Sequence, residues 1–305
     1  MGILIDGKFR MNPKLELQKT LLLPDFPSGS SINFYGGKFY LIGDDANTIL
    51  ILDENYQEVN HIRIFDYPDK RIPKPKKVDF ETSSLITLDD KNYLLVKGSA
   101  SKKKRAKLML IPLDHEREIL ETIKYTEFAD RLFGNGIQEV NIEGSTIVRN
   151  QLVLANRGSG ENPINHLIIT GKNFWQQQQQ VNITASEVVL PGKQNGFIGV
   201  SELFYAESKD LLLFTLSSEQ TNNSYHDGAI GDSYLGWMDS YSQKIGTSKS
   251  MVDGLINLSD VSDAFKGEKI EGICIECLVG NELTIHLISD NDQGQSKLFK
   301  IRMTI

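Results

Sequence analysis

The chain has 305 residues, 40% of them apolar and 24% charged, with a net charge of −7 and a pI near 5.4. That length can bury a large core as one or two domains, and the acidic balance argues against nucleic-acid binding, because phosphate backbones select basic protein surfaces. No stretch approaches the roughly 18 consecutive apolar residues of a membrane span, and the start lacks the apolar run of a signal peptide. A soluble, cytoplasmic protein without a membrane partner is therefore expected, although a leader already removed would leave the same sequence.

Taken in order, the chain is a series of short runs rich in Ile, Val, Leu, Phe and Tyr, punctuated by Gly, Asn and Asp. This is a strand-and-hairpin pattern, with helical periodicity nearly absent. Residues 15–24 (LELQKTLLLP) read as one isolated strand. Residues 30–65 then hold four strand-like runs separated by turns at Gly36-Gly37, residues 44–47 and residues 54–57. Comparable sets of four begin at Val78, Val140 and Phe197. The last set begins at Lys269 with KIEGICIECLVGNELTIHLISDND, two strands joined at Gly280-Asn281, and ends with only a third run, SKLFKIRMTI.

A period of about 50–70 residues with four strands each predicts an all-β fold, a single β-propeller. The strand missing from the last repeat is supplied by residues 15–24, which closes the ring and removes an exposed edge. Five four-stranded blades follow, over residues 30–77, 78–139, 140–196, 197–268, and 269–305 with 15–24. Six blades is the alternative, if residues 219–268 hide a degenerate one. The five glutamines Gln176–Gln180 read as a solvated loop. Residues 258–265 are a candidate short helix with Ser259 or Asp260 as its cap. The two cysteines, Cys274 and Cys277, have C-x-x-C spacing but lack a second ligand pair for zinc. Three apart on a strand they point to opposite faces, so both read as buried, inert thiols.

In a propeller the first strand of each blade lines the channel, and its start lies beside the end of the second strand. The first-strand starts carry Glu81, Glu143, Glu202 and Glu271, with Ser31 in blade one. The second-strand ends carry Asp44-Asp45, Lys97, Asn156-Arg157, Ser217-Ser218 and Asp290-Asn291-Asp292. The architecture gathers these into one polar, acidic mouth. Crowded carboxylates need a cation, a basic partner or a proton. Lys97 and Arg157 are internal partners, and calcium, which takes six to eight oxygen ligands, is the external one. Two readings stay open. The glutamates hold backbone N–H groups of neighbouring blades, or they line a ligand site.

Three loops map to the same face. Residues 69–77 (DKRIPKPKK) and 101–105 (SKKKR) are basic in an acidic protein and suit a small anionic molecule. Residues 219–234 are long and polar, in the manner of a lid, and contain His226-Asp227, a candidate acid–base pair. No nucleophile elbow, phosphate loop or dinucleotide fingerprint is present.

The Glu-Gly pairs Glu143-Gly144 and Glu271-Gly272, with Ser289-Asp290-Asn291 closing the next strand, resemble the phytase-like ("esterase-like activity of phytase") β-propellers of bacteria. The whole chain resembles an uncharacterised bacterial propeller family related to them. That resemblance implies calcium and phosphoester hydrolysis, and maps the family's site onto Glu81, Glu143, Glu202, Glu271, Asn156 and Asp290. Three functions are thus carried forward. The first is a calcium-assisted phosphoester or ester hydrolase with Glu81, Glu143, Glu202, Glu271 and Asp290 as metal ligands, Lys97 and Arg157 on the anion, and Glu271 or His226 as candidate catalytic groups. The second is a non-catalytic small-ligand site. The third is a scaffold for a protein partner.

Overall fold

The computed structural model describes every residue except 1, 2, 6, 7, 115–120, 195, 220–229, 292 and 293. Five antiparallel sheets stand round a closed ring, their innermost strands packed against one another in sequence order and the last against the first. Blade one is Gly29–Tyr35, Lys38–Gly43, Thr48–Asp53 and Glu58–Arg63, and blade two is Phe80–Leu88, Lys91–Gly98, Lys107–Pro112 and Thr122–Lys124. Blade three is Ile142–Val148, Gln151–Asn156, His166–Gly171 and Thr184–Val189, and blade four is Ile198–Ala206, Leu211–Glu219, Ile230–Met238 and Gly254–Asn257. Blade five is Lys269–Val279, Glu282–Asp290 and Ser296–Thr304, completed by Lys14–Leu23 from the other end of the chain. The count is five, not six. In the 219–268 region Lys249–Met251 adds in parallel to Thr184–Val189 as a fifth strand of blade three, and the rest belongs to blade four.

The strands form where apolar and turn residues alternate at short range. Gly36 and Gly37, at φ +58° and +74°, make the two-residue reversal of the first hairpin, which needs left-handed backbone at both positions. Each sheet presents apolar side chains on both faces, and an apolar cluster fills each of the five gaps between blades. Phe128 and Phe174 meet between blades two and three with ring centroids 4.4 Å apart. Phe265 and Phe299 stack at 4.5 Å between blades four and five. Cys274 lies in the cluster between blades five and one, while Cys277 is exposed, so only one of the two thiols is a core residue.

Two local expectations are revised and one is refined. The fourth strand-like run of blade two, residues 118–128, does not end as a strand. Thr126–Gly134 is an α-helix whose Phe128, Ala129 and Leu132 are buried, anchored by the Tyr125 hydroxyl, which donates to the Gly98 carbonyl. The glutamine run is a solvated loop with one anchor, for Gln176, Gln177, Gln179 and Gln180 are exposed and Gln178 is tied down. Arg131 donates to the carbonyls of Gln178 and Val181 at 2.6 and 2.8 Å, and Gln178 Nε2 donates to Lys124 O at 2.9 Å. The short helix Leu258–Val261 is capped by Asn257, whose side chain accepts from Ser259 N, and Ser262 caps the 3-10 turn Asp263–Phe265.

Every inner strand has a bulge near its start, at Gly29/Ser31, Phe80/Thr82, Ile142/Gly144, Val200/Leu203 and Ile270/Gly272. A bulge inserts an unpaired residue and re-aims its side chain. Repeated five times round the axis, it decides what faces the mouth.

Candidate functional site at the propeller mouth

The unpaired residues at four of these bulges are Ser30, Glu81, Glu143 and Glu271. Carboxylate oxygens of Glu81, Glu143 and Glu271 lie within 4.8 Å of one another, and so do those of Asp44, Asp79 and Glu81. Glu81 is shared by both triads. The glycines that follow Glu143 and Glu271 have a steric reason. A Cβ on Gly144 would come 2.8 Å from Ser201 O and 3.0 Å from Glu202 Cα, and one on Gly272 would come 3.0 Å from Ser31 Cα. The inner strands touch there, and only glycine leaves room for the next blade.

The first triad is already neutralised from within. Lys77 Nζ donates to Asp44 and stands 3.0 Å from Asp79 Oδ1. Arg105 Nη1 lies 2.7 Å from Asp79 Oδ2, which also accepts from Ser99 Oγ at 2.6 Å. Burial opposes the Asp79 charge, but Lys77 and Arg105 outweigh it and hold the carboxyl below its ordinary value. Burial likewise works against the Lys77 ammonium, and Asp44, Asp79 and Glu81 more than restore it. Asp79 adopts φ +66°, a left-handed conformation that a short polar side chain tolerates. Asp45 is buried and pairs with Arg71 Nε at 2.6 Å through Oδ2, leaving Oδ1 without a hydrogen bond.

The second triad is more open. Glu143 accepts from Asn141 Nδ2 at 2.7 Å, and Lys269 Nζ lies 2.9 Å from Glu271 Oε1. Burial pushes Glu143 up to about 7, with Arg157 pulling the other way. Glu81 is 9% exposed, and among the described residues no hydrogen bond or ion pair reaches its carboxylate. Burial first, then the charges of Asp79, Glu143 and Asp44, raise it well above the ordinary carboxylate range. A buried, unpartnered carboxylate aimed at four others is the chemistry of a cation or proton site.

The other expected residues lie elsewhere. Glu202 is not at the mouth. Blade four has Ser201 in the place of Glu81, Glu143 and Glu271, with Arg157 Nη1 donating to it at 3.1 Å. Glu202 falls one residue later, and a one-residue shift turns a strand side chain to the other side. It points into the waist of the channel, where the other blades carry Ser31, Thr82, Gly144 and Gly272. There its carboxylate accepts from Ser31 Oγ at 2.7 Å, Thr82 Oγ1 at 2.8 and 2.9 Å, Ser145 N at 2.7 Å and Leu203 N at 3.0 Å. Four blades are thereby joined through one side chain.

Lys97 is buried beneath the mouth, where it donates to Ser84 Oγ and Leu95 O, both at 3.3 Å. Burial pulls it down to about 7, against the pull of Glu202. Asn156 closes blade three by accepting from Asn141 N and donating to Glu139 O. Arg157 is committed to Ser201 and Ser217. Asp290 stands outside both triads, its charge felt by Arg71. His226 and Asp292 lie outside the described residues, as does most of the 219–234 loop. Asp79 and Lys269 join the site without having been singled out for it, while Asp44 was expected at the mouth and Lys77 and Arg105 come from the two basic loops expected on that face. The signal for Asp79 was its place two residues before Glu81.

A protein-family model covers residues 25–303. The chain belongs to DUF6929, a family of unknown function. No curated protein matches this DUF6929 chain. Among solved structures, the glutaminyl cyclase of Myxococcus xanthus superposes with a TM-score of 0.55 at 16% identity, over 95% of this chain and 96% of that one. The tail fiber of Staphylococcus aureus phage P68 superposes at 0.50 with 12% identity, over 94% of this chain and 53% of that one. At these identities the likeness establishes the fold alone.

Proposed function

We propose that the mouth is a divalent-cation site, calcium by its all-oxygen donors, at which an ester or phosphoester of a small anionic molecule is hydrolysed. The observation that carries this reading is Glu81: a buried carboxylate with no partner, common to two acidic triads. Glu81, Glu143 and Glu271 would hold the ion, and Asp44 and Asp79 extend the acidic wall beyond it. Hard cations prefer such oxygen sets. The chemistry calcium supplies when bound is polarisation of the scissile bond and acidification of water.

The chain's own groups do the rest. Lys77 and Arg105 fix Asp79, Lys269 fixes Glu271, and Asn141 fixes Glu143, so the triad is preorganised. Burial raises Glu143 to about 7 in the ion-free site, so binding of calcium there would displace a proton near neutrality. The resemblance of Glu143-Gly144 and Glu271-Gly272 to phytase-like propellers supports the same reading.

The test is a calcium titration followed by thermal shift, with the Glu81→Gln protein alongside. Calcium at 100 times its Kd should stabilise the native protein by about 2.7 kcal/mol, and the variant should lose most of that gain. A melting temperature indifferent to calcium overturns the cation site. A shift without turnover of p-nitrophenyl phosphate or p-nitrophenyl acetate overturns the hydrolysis and leaves a binding protein.

A further inference from the structure

The basic residues of the 69–77 and 101–105 loops divide into two sets. Arg71, Lys77 and Arg105 turn inward onto Asp45, Asp44 and Asp79. Lys70, Lys76, Lys102, Lys103 and Lys104 are exposed on the rim of blades one and two. The two loops are held together, because Lys104 Nζ donates to the Pro75 carbonyl at 2.5 Å. Five exposed lysines thus share one edge of a protein whose net charge is −7. Beside them runs a groove of about 560 Å³ between the 100–106 segment and the helix Thr126–Gly134. Ala100, Ala106, Ala129 and Val140 contribute apolar walls, and Phe133 stands at its lip 70% exposed. Isolated exposed apolar residues are ordinary. A bare phenyl ring beside a groove of mixed apolar and polar lining and a lysine cluster is a composite surface.

We propose that this rim is a docking surface for an acidic, extended segment of a partner protein that carries one bulky apolar side chain. The acidic residues would lie along Lys76, Lys102, Lys103 and Lys104, and the apolar anchor would enter the groove against Phe133. Anchors of this kind supply most of the energy of peptide interfaces, while the charges steer the encounter. Two acids in the same groove select the ligand class. Asp130 lies 3.5 Å from Lys103 Nζ, and Glu139 accepts from Ser159 and Asn162. They repel the unbroken phosphate row of a nucleic acid or an anionic bilayer, whereas a peptide can place its apolar residue opposite them. This surface is separate from the mouth, since no member of either acidic triad lines its groove.

The experiment is fluorescence anisotropy with the full-length protein and a labelled eight-residue peptide of Asp and Glu with one central Phe. A matched peptide with Ser in place of Phe, a single-stranded RNA and phosphatidylserine vesicles serve as competitors. The Phe peptide should bind, more tightly at low salt, and the Ser peptide about tenfold more weakly. Lys102→Glu with Lys103→Glu should weaken the Phe peptide by about tenfold or more, and Phe133→Ser should bring the two peptides to the same affinity. All three positions are exposed, so unchanged melting temperatures will show that the variants remain folded. Absence of peptide binding, insensitivity to the charge reversal, or RNA or vesicles competing at the affinity of the Phe peptide would each overturn the proposal.

Discussion

At the residue scale, two glutamates one position apart in the repeat have opposite duties. Glu81 meets only charge, and Glu202 meets only donors. Glu202→Ala would strand two backbone amides and leave two hydroxyls to find new partners at the centre of the ring. The expected cost is about 3 kcal/mol, measurable by urea denaturation. Glu202→Gln should cost much less, because its oxygen can face the amides and Ser31 Oγ can turn to accept from its NH₂. The same pair reports on pH. Burial holds Glu202 at about 8, above its ordinary 4.5, so the folded state binds this proton more tightly than the unfolded chain. Its contribution is intact below the unfolded value and is lost as pH rises toward 8. The melting temperature of the native protein should therefore fall more steeply between pH 5 and 8 than that of Glu202→Gln. Equal slopes would show that Glu202 does not titrate in this window. Gly144→Ala should lower stability by about 1–3 kcal/mol, since its Cβ would meet the backbone of the next blade.

At the scale of elements, the strands were legible from alternation and turn chemistry, and so was the closing strand near the N-terminus. Strand registers at the mouth were not. Aligning Glu202 with Glu81, Glu143 and Glu271 follows spacing, but in blade four Ser201 and Glu202 together oppose Thr215 where the other blades have a single unpaired residue, and hydrogen-bond register is not written in spacing. The helix Thr126–Gly134 was missed because its apolar face holds only three buried residues, too few to stand out from a strand tail. Lys249–Met251 was missed because its partner strand is 60 residues away, and pairing of that kind is a tertiary choice. The closing strand makes its own prediction. Lys14–Leu23 pairs along its length with Ser296–Thr304 and buries part of Leu15, Leu17 and Leu21. Removing residues 1–24 should leave Ser296–Thr304 as an open edge, with self-association on size exclusion and a lower melting temperature. A synthetic peptide of residues 12–25 should restore the monomer.

At the scale of the whole molecule, the ring has no end at which fraying can begin. Each apolar cluster belongs to two blades, the last gap being filled by Phe39, Ile288 and Leu298 from blades one and five. The Tyr56 hydroxyl donates across the same seam to His286 Nδ1 at 2.7 Å, with Glu276 2.7 Å from Nε2 fixing the ring. A single transition is expected. Fluorescence of Trp175 in blade three and Trp237 in blade four should change at the same urea concentration as far-ultraviolet circular dichroism. Separate midpoints would mean that blades unfold independently.

The strand that completes blade five also sets a timetable for synthesis. Lys14–Leu23 is made before any other strand of the five blades, and its partner Ser296–Thr304 is made after the other four blades. While the four intervening blades are made the first strand has no partner, and its Leu21, Leu22 and Leu23 must be kept from other chains. Four blades can assemble as they emerge, but the circle cannot shut until Ser296–Thr304 has been made. The contact that seals it spans nearly the full sequence, so closure carries the largest loop entropy in the molecule and should be its slowest step.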